Sequence, residues 1–503
     1  MKYLKLLLIL LIIYAIIIIF TFPLTSISAD EGTHLLLGMF YLDLFKFVSE
    51  NGFSHAYDFA INYLIHYPKL TVYYPPLYHY LIAFGFNFII SEYIGKFITL
   101  IFSIGTILLT YVIGKYLFNQ KTGLISALLL VFSPIMIYLS GHIYGDTSVF
   151  FFSLLTLWFY LKAFKTGKSI YYTLGGLSLG LSLLTKWTTI PIIPLILIYF
   201  LVERKNTRRR KIIKKFVFSL ILALIVFSPY LFLAYKFDFI NLTLIGPVEA
   251  GYKEEHDPQF YEIEGWLWYP IKLVEQLSLP VALLCFLALI IFVRKKVENW
   301  KLILLWFLSF YIIYTIMPNK NIRYIVAYLP VFLFPLSYFI ERFSSKKKYW
   351  NVFFILLLVS QIFISFYYLP RYNYPMHQIA EIVYNNSKGN VAIVSEKGKV
   401  HSSAFMFHLA KLDKNRTIIV YRPCVFYRKE GQIQQFLKEN NIYYLILVKD
   451  GYGYENLEKI KDVELEKEFY YAKLYRYKGF DGKGTKKCNY ICLTEEEICY
   501  REF

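Results

Sequence analysis

An α-helical polytopic membrane protein, ending in a small α/β domain, is the fold class that the sequence predicts, on three observations. Of 503 residues, 57% are hydrophobic and 20% aromatic, far more than a soluble globular chain tolerates. Apolar runs long enough to cross a bilayer recur along the first 368 residues, separated by short basic clusters. After Leu369 the composition turns to mixed polar sequence with strand-like and helix-like runs in alternation. The formal charge of +19 raises nucleic acid as a partner, but clustering of Lys and Arg between apolar runs is what membrane topology requires, so nucleic acid is excluded.

Taken in order, the apolar spans fall at 3–22, 93–117, 122–140, 147–165, 170–185, 188–203, 216–235, 270–293, 300–317, 324–341 and 351–368, about eleven in all. Lys2 and Lys5, Lys115 and Lys121, Lys165 and Lys168, Arg204 to Lys215, Arg294 to Lys296 and Arg342 to Lys348 share one side if the N-terminus is cytoplasmic. The first span, which a cleaved signal peptide would resemble, is read as retained because its apolar core is long and the alternation needs it. Segment 71–90, "TVYYPPLYHYLIAFGFNFII", is read as a helix in the outer interface, since counting it as a span would turn "ERKNTRRRKIIKK" outward. Residues 1–368 thus form the transmembrane module, with a first outer loop at 23–92, and residues 369–503 the extracytoplasmic domain.

In that domain "NVAIVSE", "TIIVYRP" and "IYYLILVKD" read as strands, and "HQIAEIVYNN", "SSAFMFHLAKL" and "GQIQQFLKENN" as helices. No glycine-rich turn follows a strand, which argues against a nucleotide site. Cys424, Cys488, Cys492 and Cys499 lie there and are read as disulfide-forming, with a zinc site as the rival; Cys285 is inside a span. Asn241, Asn385 and Asn415 begin glycan-acceptor triplets.

The outer side collects the polar residues that carry chemistry: Asp30, Glu31 and His34; His55 and Asp58; Tyr73-Tyr74-Pro75-Pro76; His142, Tyr144 and Asp146; Lys186; Glu254 to Asp257; Lys320 and Arg323. Carboxylates come from the first two outer loops and cations from later ones. A carboxylate base beside a basic anion-holder suits glycosyl transfer from a lipid phosphate: the acid takes the acceptor's proton, and Lys or Arg steadies the departing phosphate. Transporters also place carboxylates at helix mouths. Taken alone, "SADE" before "GTHLLLGMF" is a helix N-cap, and "GDTSVFF" at Asp146 is another. Lys186 stands against the local charge rule, while Lys320 and Arg323 also suit headgroup contact. His142 reads as an interface residue, and Trp266, Trp268 and Tyr269 as an interfacial belt.

The succession "SADEGTHLL", "YYPPLYHYL", "GHIYGDTSVFFFSLLTLWFYLKA", "GLSLGLSLLTKWTTIPIIPLIL" and "NKNIRYIVAYLP" resembles GT-C glycosyltransferases of the protein O-mannosyltransferase and aminoarabinose transferase type, over residues 1 to about 341. The resemblance implies a GT-C fold and transfer of a sugar from a polyprenyl- or dolichyl-phosphate carrier to an acceptor hydroxyl on protein, lipid or glycan. It implies Asp30 as catalytic base with Glu31 beside it, Asp146 and Thr185-Lys186 in substrate binding, and phosphate contact by Lys320 and Arg323. Tyr74 stands where such proteins often carry a basic residue before the proline, which leaves Lys69 or another group to supply that charge. His142 and His256 are further binding candidates, the latter through a mobile loop with Asp257. No metal ligand set and no cofactor beyond the lipid-phosphate sugar is implied. The rival readings are a flippase of lipid-linked sugars, and an oligosaccharyltransferase, which calls for a divalent metal.

Overall fold

The computed structural model describes residues 2–68, 74–203, 209–236, 257–344, 349–367, 375–394, 402–421, 433–448, 462–483, 488–491 and 496–499. Its helices are α1 (Lys2–Thr21), α2 (Ala29–Asn51), α3 (Ala56–His66), α4 (Leu77–Phe86), α5 (Glu92–Leu117), α6 (Gln120–Val131) and α7 (Pro134–Gly141). Then come α8 (Asp146–Thr166), α9 (Ser169–Leu183), α10 (Ile192–Glu203), α11 (Arg209–Lys236), α12 (Ile263–Leu277), α13 (Leu279–Arg294) and α14 (Trp300–Ile316). The last are α15 (Leu329–Ser344), α16 (Tyr349–Tyr367), α17 (Met376–Asn386), α18 (Ser402–Leu412) and α19 (Ile433–Glu439). The strands are β1 (Asn390–Val394), β2 (Val420–Tyr421), β3 (Ile442–Val448), β4 (Val463–Glu468), β5 (Ala472–Tyr477), β6 (Cys488–Ile491) and β7 (Glu496–Cys499).

The chain divides into two compact units: Met1–Phe22, Tyr73–Tyr78 and Lys96–Pro370; and Pro23–Val72, His79–Gly95 and Arg371–Phe503. Of the first loop, expected as interfacial helices of the transmembrane module, residues 23–72 and 79–92 group with the C-terminal segment and residues 73–78 with the helical unit.

The first unit is that of a multi-pass membrane protein. Among the described residues five helices are long and apolar enough to cross a membrane, six if α6 and α7 are one span. Helix also covers the remaining apolar stretches, in shorter pieces. Two breaks have local causes. The residue before a proline is pushed out of the α region, and α6 and α7 meet at 61° just ahead of Pro134. The run 270–293 is cut at Ser278, whose φ of 74° no helix accommodates.

Small and hydroxyl residues knit these helices, as bilayers demand where burial of apolar surface gains nothing between helices. Thr156 bonds Ser178 at 3.2 Å and Tyr160 bonds Ser219 at 2.9 Å, tying α8 to α9 and α11. A Cβ on Gly176 would strike the Ser219 backbone, so only glycine permits this crossing. Tyr14 of α1 donates to Met136 O at 3.2 Å, which locks the first helix onto α7.

The second unit holds a five-stranded sheet of order β2-β1-β3-β5-β4. β1 runs parallel to β2 and β3, while β5 is antiparallel to β3 and β4. Parallel neighbours need crossovers, and α18 joins β1 to β2 as α19 joins β2 to β3. Its core packs Ala392, Leu437, Leu445 and Leu447 against Ile65 of α3. Among the expected cysteine pairings, Cys424 and Cys492 lie outside the described residues, as do the side chains of Cys488 and Cys499; their backbones are paired partners across β6 and β7.

Candidate functional site

The short connections of the helical unit bring together residues far apart in sequence. Asp146 opens α8, where its charge faces the positive end of the helix dipole, a placement worth up to about 2 kcal/mol for a carboxylate shielded from water. Its side chain is only 1% exposed, and its Oδ1 accepts from Lys186 Nζ at 2.9 Å. Its Oδ2 is buried, and among the described residues it has no hydrogen-bond partner. A buried carboxylate left half-satisfied is costly, and such groups concentrate at functional sites.

Lys186 lies just past α9, in the extended residue that precedes a 3-10 turn at Trp187–Thr189. Its ammonium also sits 4.8 Å from the Tyr324 ring centre. The neighbouring Arg323 stacks over Tyr144 at 4.2 Å and donates Nε–H to Asn321 Oδ1 at 3.2 Å. Tyr144 in turn meets Tyr138 hydroxyl to hydroxyl at 3.2 Å, and His142, 4% exposed, lies against both rings. Asp146, Lys186, His142 and Arg323, singled out separately in the sequence, thus converge on one aromatic-lined cluster. Residues 74–78, "YPPLY", border it: Leu77 N–H donates to Leu184 O at 2.9 Å, Tyr78 faces Gly145, and Tyr74 is half-buried.

Lys320 has a different placement from Arg323. It is 3% exposed, and its ammonium donates to Thr315 O at 2.9 Å and Met317 O at 3.0 Å, with Tyr314 O at 3.5 Å. These carbonyls close α14, so the cation caps a helix end. Its own N–H donates to Asp257 Oδ2 at 2.8 Å, fastening residues 257–262 to the loop. Burial pushes the Lys320 ammonium down to about 8, and the nearby Asp257 charge opposes the shift. His256 and Lys69 lie outside the described residues.

In the second unit the two adjacent carboxylates part company. Glu31 is fully buried, and its Oε2 accepts the Ser28 N–H at 2.8 Å, the reciprocal half of a capping box. Asp30, in the same first turn, is exposed. Four residues on, His34 Nδ1 meets Nε2 of the buried His79 at 2.8 Å, joining α2 to α4. Neither His79 nor Lys96 was singled out by sequence reading. Lys96 is 1% exposed and donates to Phe22 O at 2.7 Å, closing the turn after α1; its signal was a lone Lys within an apolar span. Among the described residues no three His, Cys, Asp or Glu side chains gather as a metal would need.

A family model of dolichyl-phosphate-mannose-protein mannosyltransferases matches residues 74–232, under half of the chain. An uncharacterized protein of Aquifex aeolicus strain VF5 is 23% identical over 278 residues, 54% of either chain, so the match spans about half of that relative's length. Among solved structures, ArnT from Cupriavidus metallidurans bound to undecaprenyl phosphate matches at 11% identity and TM-score 0.62, over 94% of this chain and 97% of that one. The archaeal oligosaccharyltransferase AglB from Archaeoglobus fulgidus, in complex with an inhibitory peptide and dolichol-phosphate, matches at 12% and 0.58, over 88% and 69%. The arabinofuranosyltransferase AftD from Mycobacteria matches at 12% and 0.58, over 96% and 40%. At such identities the shared property is the fold, and the expected GT-C architecture with a sheet-containing C-terminal region is borne out at that level.

Proposed function

We propose that this chain is a membrane glycosyltransferase, moving a sugar from a polyprenyl- or dolichyl-phosphate carrier to an acceptor hydroxyl with inversion. The observation that supports the reading most is the cluster of Asp146, Lys186 and Arg323, in a fold shared with proteins solved with undecaprenyl phosphate and dolichol-phosphate. The N-terminus is cytoplasmic and the C-terminal segment extracytoplasmic, so transfer happens on the outer face; the distribution of Lys and Arg along the sequence supports this.

Each step falls to a group suited to it. The exposed Asp30 carboxylate takes the acceptor's proton as the hydroxyl oxygen attacks the anomeric carbon. The carbon–oxygen bond to phosphate breaks with its electron pair, and the lipid phosphate leaves as an anion. Lys186 and Arg323 hold that anion, Arg323 with a planar fork suited to phosphate oxygens. Asp146 keeps the Lys186 ammonium aimed, the half-buried Tyr74 supplies a face on which a sugar ring stacks, and the buried Tyr144 and His142 back the Arg323 guanidinium. Glu31 and Lys320 serve as helix caps that keep the two loops in shape. The divalent metal of an oligosaccharyltransferase is not needed for these steps.

The test is incubation of the purified protein in lipid with radiolabelled polyprenyl-phosphate sugars and crude membrane acceptors. Label passing from lipid to acceptor supports the transferase and names its donor. Intact donor that merely changes leaflet overturns it in favour of a flippase.

A further inference from the structure

Helix α2 carries Asp30 in its first turn, where backbone N–H groups lack intrahelical partners and ends fray unless held. A general base must stay within about 0.5 Å of its working position. The first turn of α2 is held by α18 of the C-terminal segment, through a contact that spans 374 residues of sequence. The Ser403 hydroxyl donates to the Ala29 carbonyl, which also accepts from Thr33 Oγ1 at 3.1 Å. Gly32 lies directly on the α18 backbone: a Cβ there would sit 2.6 Å from Ala404 Cα. Backbone thus meets backbone one residue from Glu31 and two from Asp30.

A second tie steadies the far end of α2. Arg416, in the turn between α18 and β2, reaches Asp43 Oδ2 at 2.7 Å and stacks over Tyr63 of α3 at 4.2 Å. Tyr63 hydroxyl donates to the same Asp43 oxygen at 3.3 Å. Asp413 fixes that turn by accepting the N–H groups of Thr417 and Ile418 at 3.0 and 2.8 Å.

We infer that the C-terminal α/β segment positions the catalytic base through α18, with Ser403 and Gly32 as positioning residues for Asp30. The inference rests on the reading of Asp30 as base. It gives the α/β segment a direct part in turnover, apart from any contact of its own with the acceptor.

Ser403→Ala and Ser403→Thr, with Asp30→Asn alongside, separate the possibilities in a steady-state transfer assay. Ser403→Ala is expected to lower kcat on the order of tenfold, as small misplacements of catalytic groups do. The KM for donor stays at the wild-type value, because Lys186 and Arg323 hold the phosphate. Ser403→Thr, which keeps the hydroxyl, restores kcat; a loss caused by melting alone would lower the thermal midpoint of Ser403→Ala along with kcat, whereas a loss of positioning leaves the midpoint near wild type. Gly32→Ala is expected to lower kcat further, and if it does not fold, the Ser403 pair still decides. Wild-type kcat in Ser403→Ala beside an inactive Asp30→Asn overturns this inference alone. Wild-type turnover in Asp30→Asn overturns the base assignment and the inference together.

Discussion

Exchange of Lys186 for Met strands the Asp146 carboxylate, which is 1% exposed and bonds that lysine at 2.9 Å. Removing one partner of a buried ion pair costs about 3–5 kcal/mol, because the remaining charge keeps its desolvation penalty. The dipole of α8 returns up to about 2 kcal/mol of this to a residue at its first position. With the full dipole contribution, a net loss of about 1–3 kcal/mol is expected in Lys186→Met. The converse change, Asp146→Asn, leaves an ammonium on a side chain that is 17% exposed and can turn to water, for about 1 kcal/mol. The double variant should melt close to Asp146→Asn, since nothing charged is left buried. Donor binding follows another rule: every variant lacking Lys186, the double included, should raise donor KM about tenfold or more, the worth of a charged hydrogen bond. Thermal unfolding in nanodiscs and donor titration measure the two quantities separately. Equal, additive losses of stability in the two single variants would refute the buried-pair argument.

Other substitutions and pH carry consequences of the same kind. Arg323→Met should raise donor KM while barely moving the melting point, whereas Lys320→Met should do the reverse, its ammonium being engaged by the carbonyls that end α14; measuring both quantities for both variants checks the division. Lys320 is held down to about 8, so between pH 8 and the ordinary lysine value the unfolded chain binds a proton that the folded one does not. Stability should therefore rise with pH across that window, and the rise should shrink in Lys320→Met. His408, lowered to about 4 by burial against the opposing charge of Glu92, works at lower pH. As pH falls from the ordinary histidine value towards 4, the unfolded chain takes up a proton first, so the C-terminal unit should lose stability, by about 3 kcal/mol at most. His408→Gln should flatten that limb in a thermal melt followed against pH.

Much of the fold could be read from the sequence because a bilayer restricts it. Twenty apolar residues with basic ends have few alternatives to a helix, and β-branched runs such as "NVAIV" and "IYYLILV" became β1 and β3. The hairpin β4–β5 went unread since four of the six residues of "VELEKE" are charged and its apolar alternation stops at Leu465, too short to read as a half-buried strand. The break at Ser278 did carry a signal, Pro280 in the first turn of α13, but it lies inside a largely apolar run that reads as one span. At the site, local chemistry was legible and pairing was not. Ser-x-x-Glu announced the cap that Glu31 supplies, a four-residue pattern. The Asp146–Lys186 pair joins residues 40 apart, and Ser403 reaches Ala29 across 374, contacts that only tertiary packing decides. Lys320 and Arg323, three residues apart, looked alike in sequence; burial of one under the end of α14 separates their tasks.

Transfer of radiolabelled sugar by Asp30→Asn, compared with wild type in the same lipid, tests the assignment of catalysis most directly. The change is isosteric at an exposed position, so the protein should fold and bind donor normally while the rate falls about 10²–10⁴-fold, the share of a general base. Turnover at the wild-type rate would mean that Asp30 does not act as the base, and that its place beside Glu31 is only that of a charge at the start of a helix.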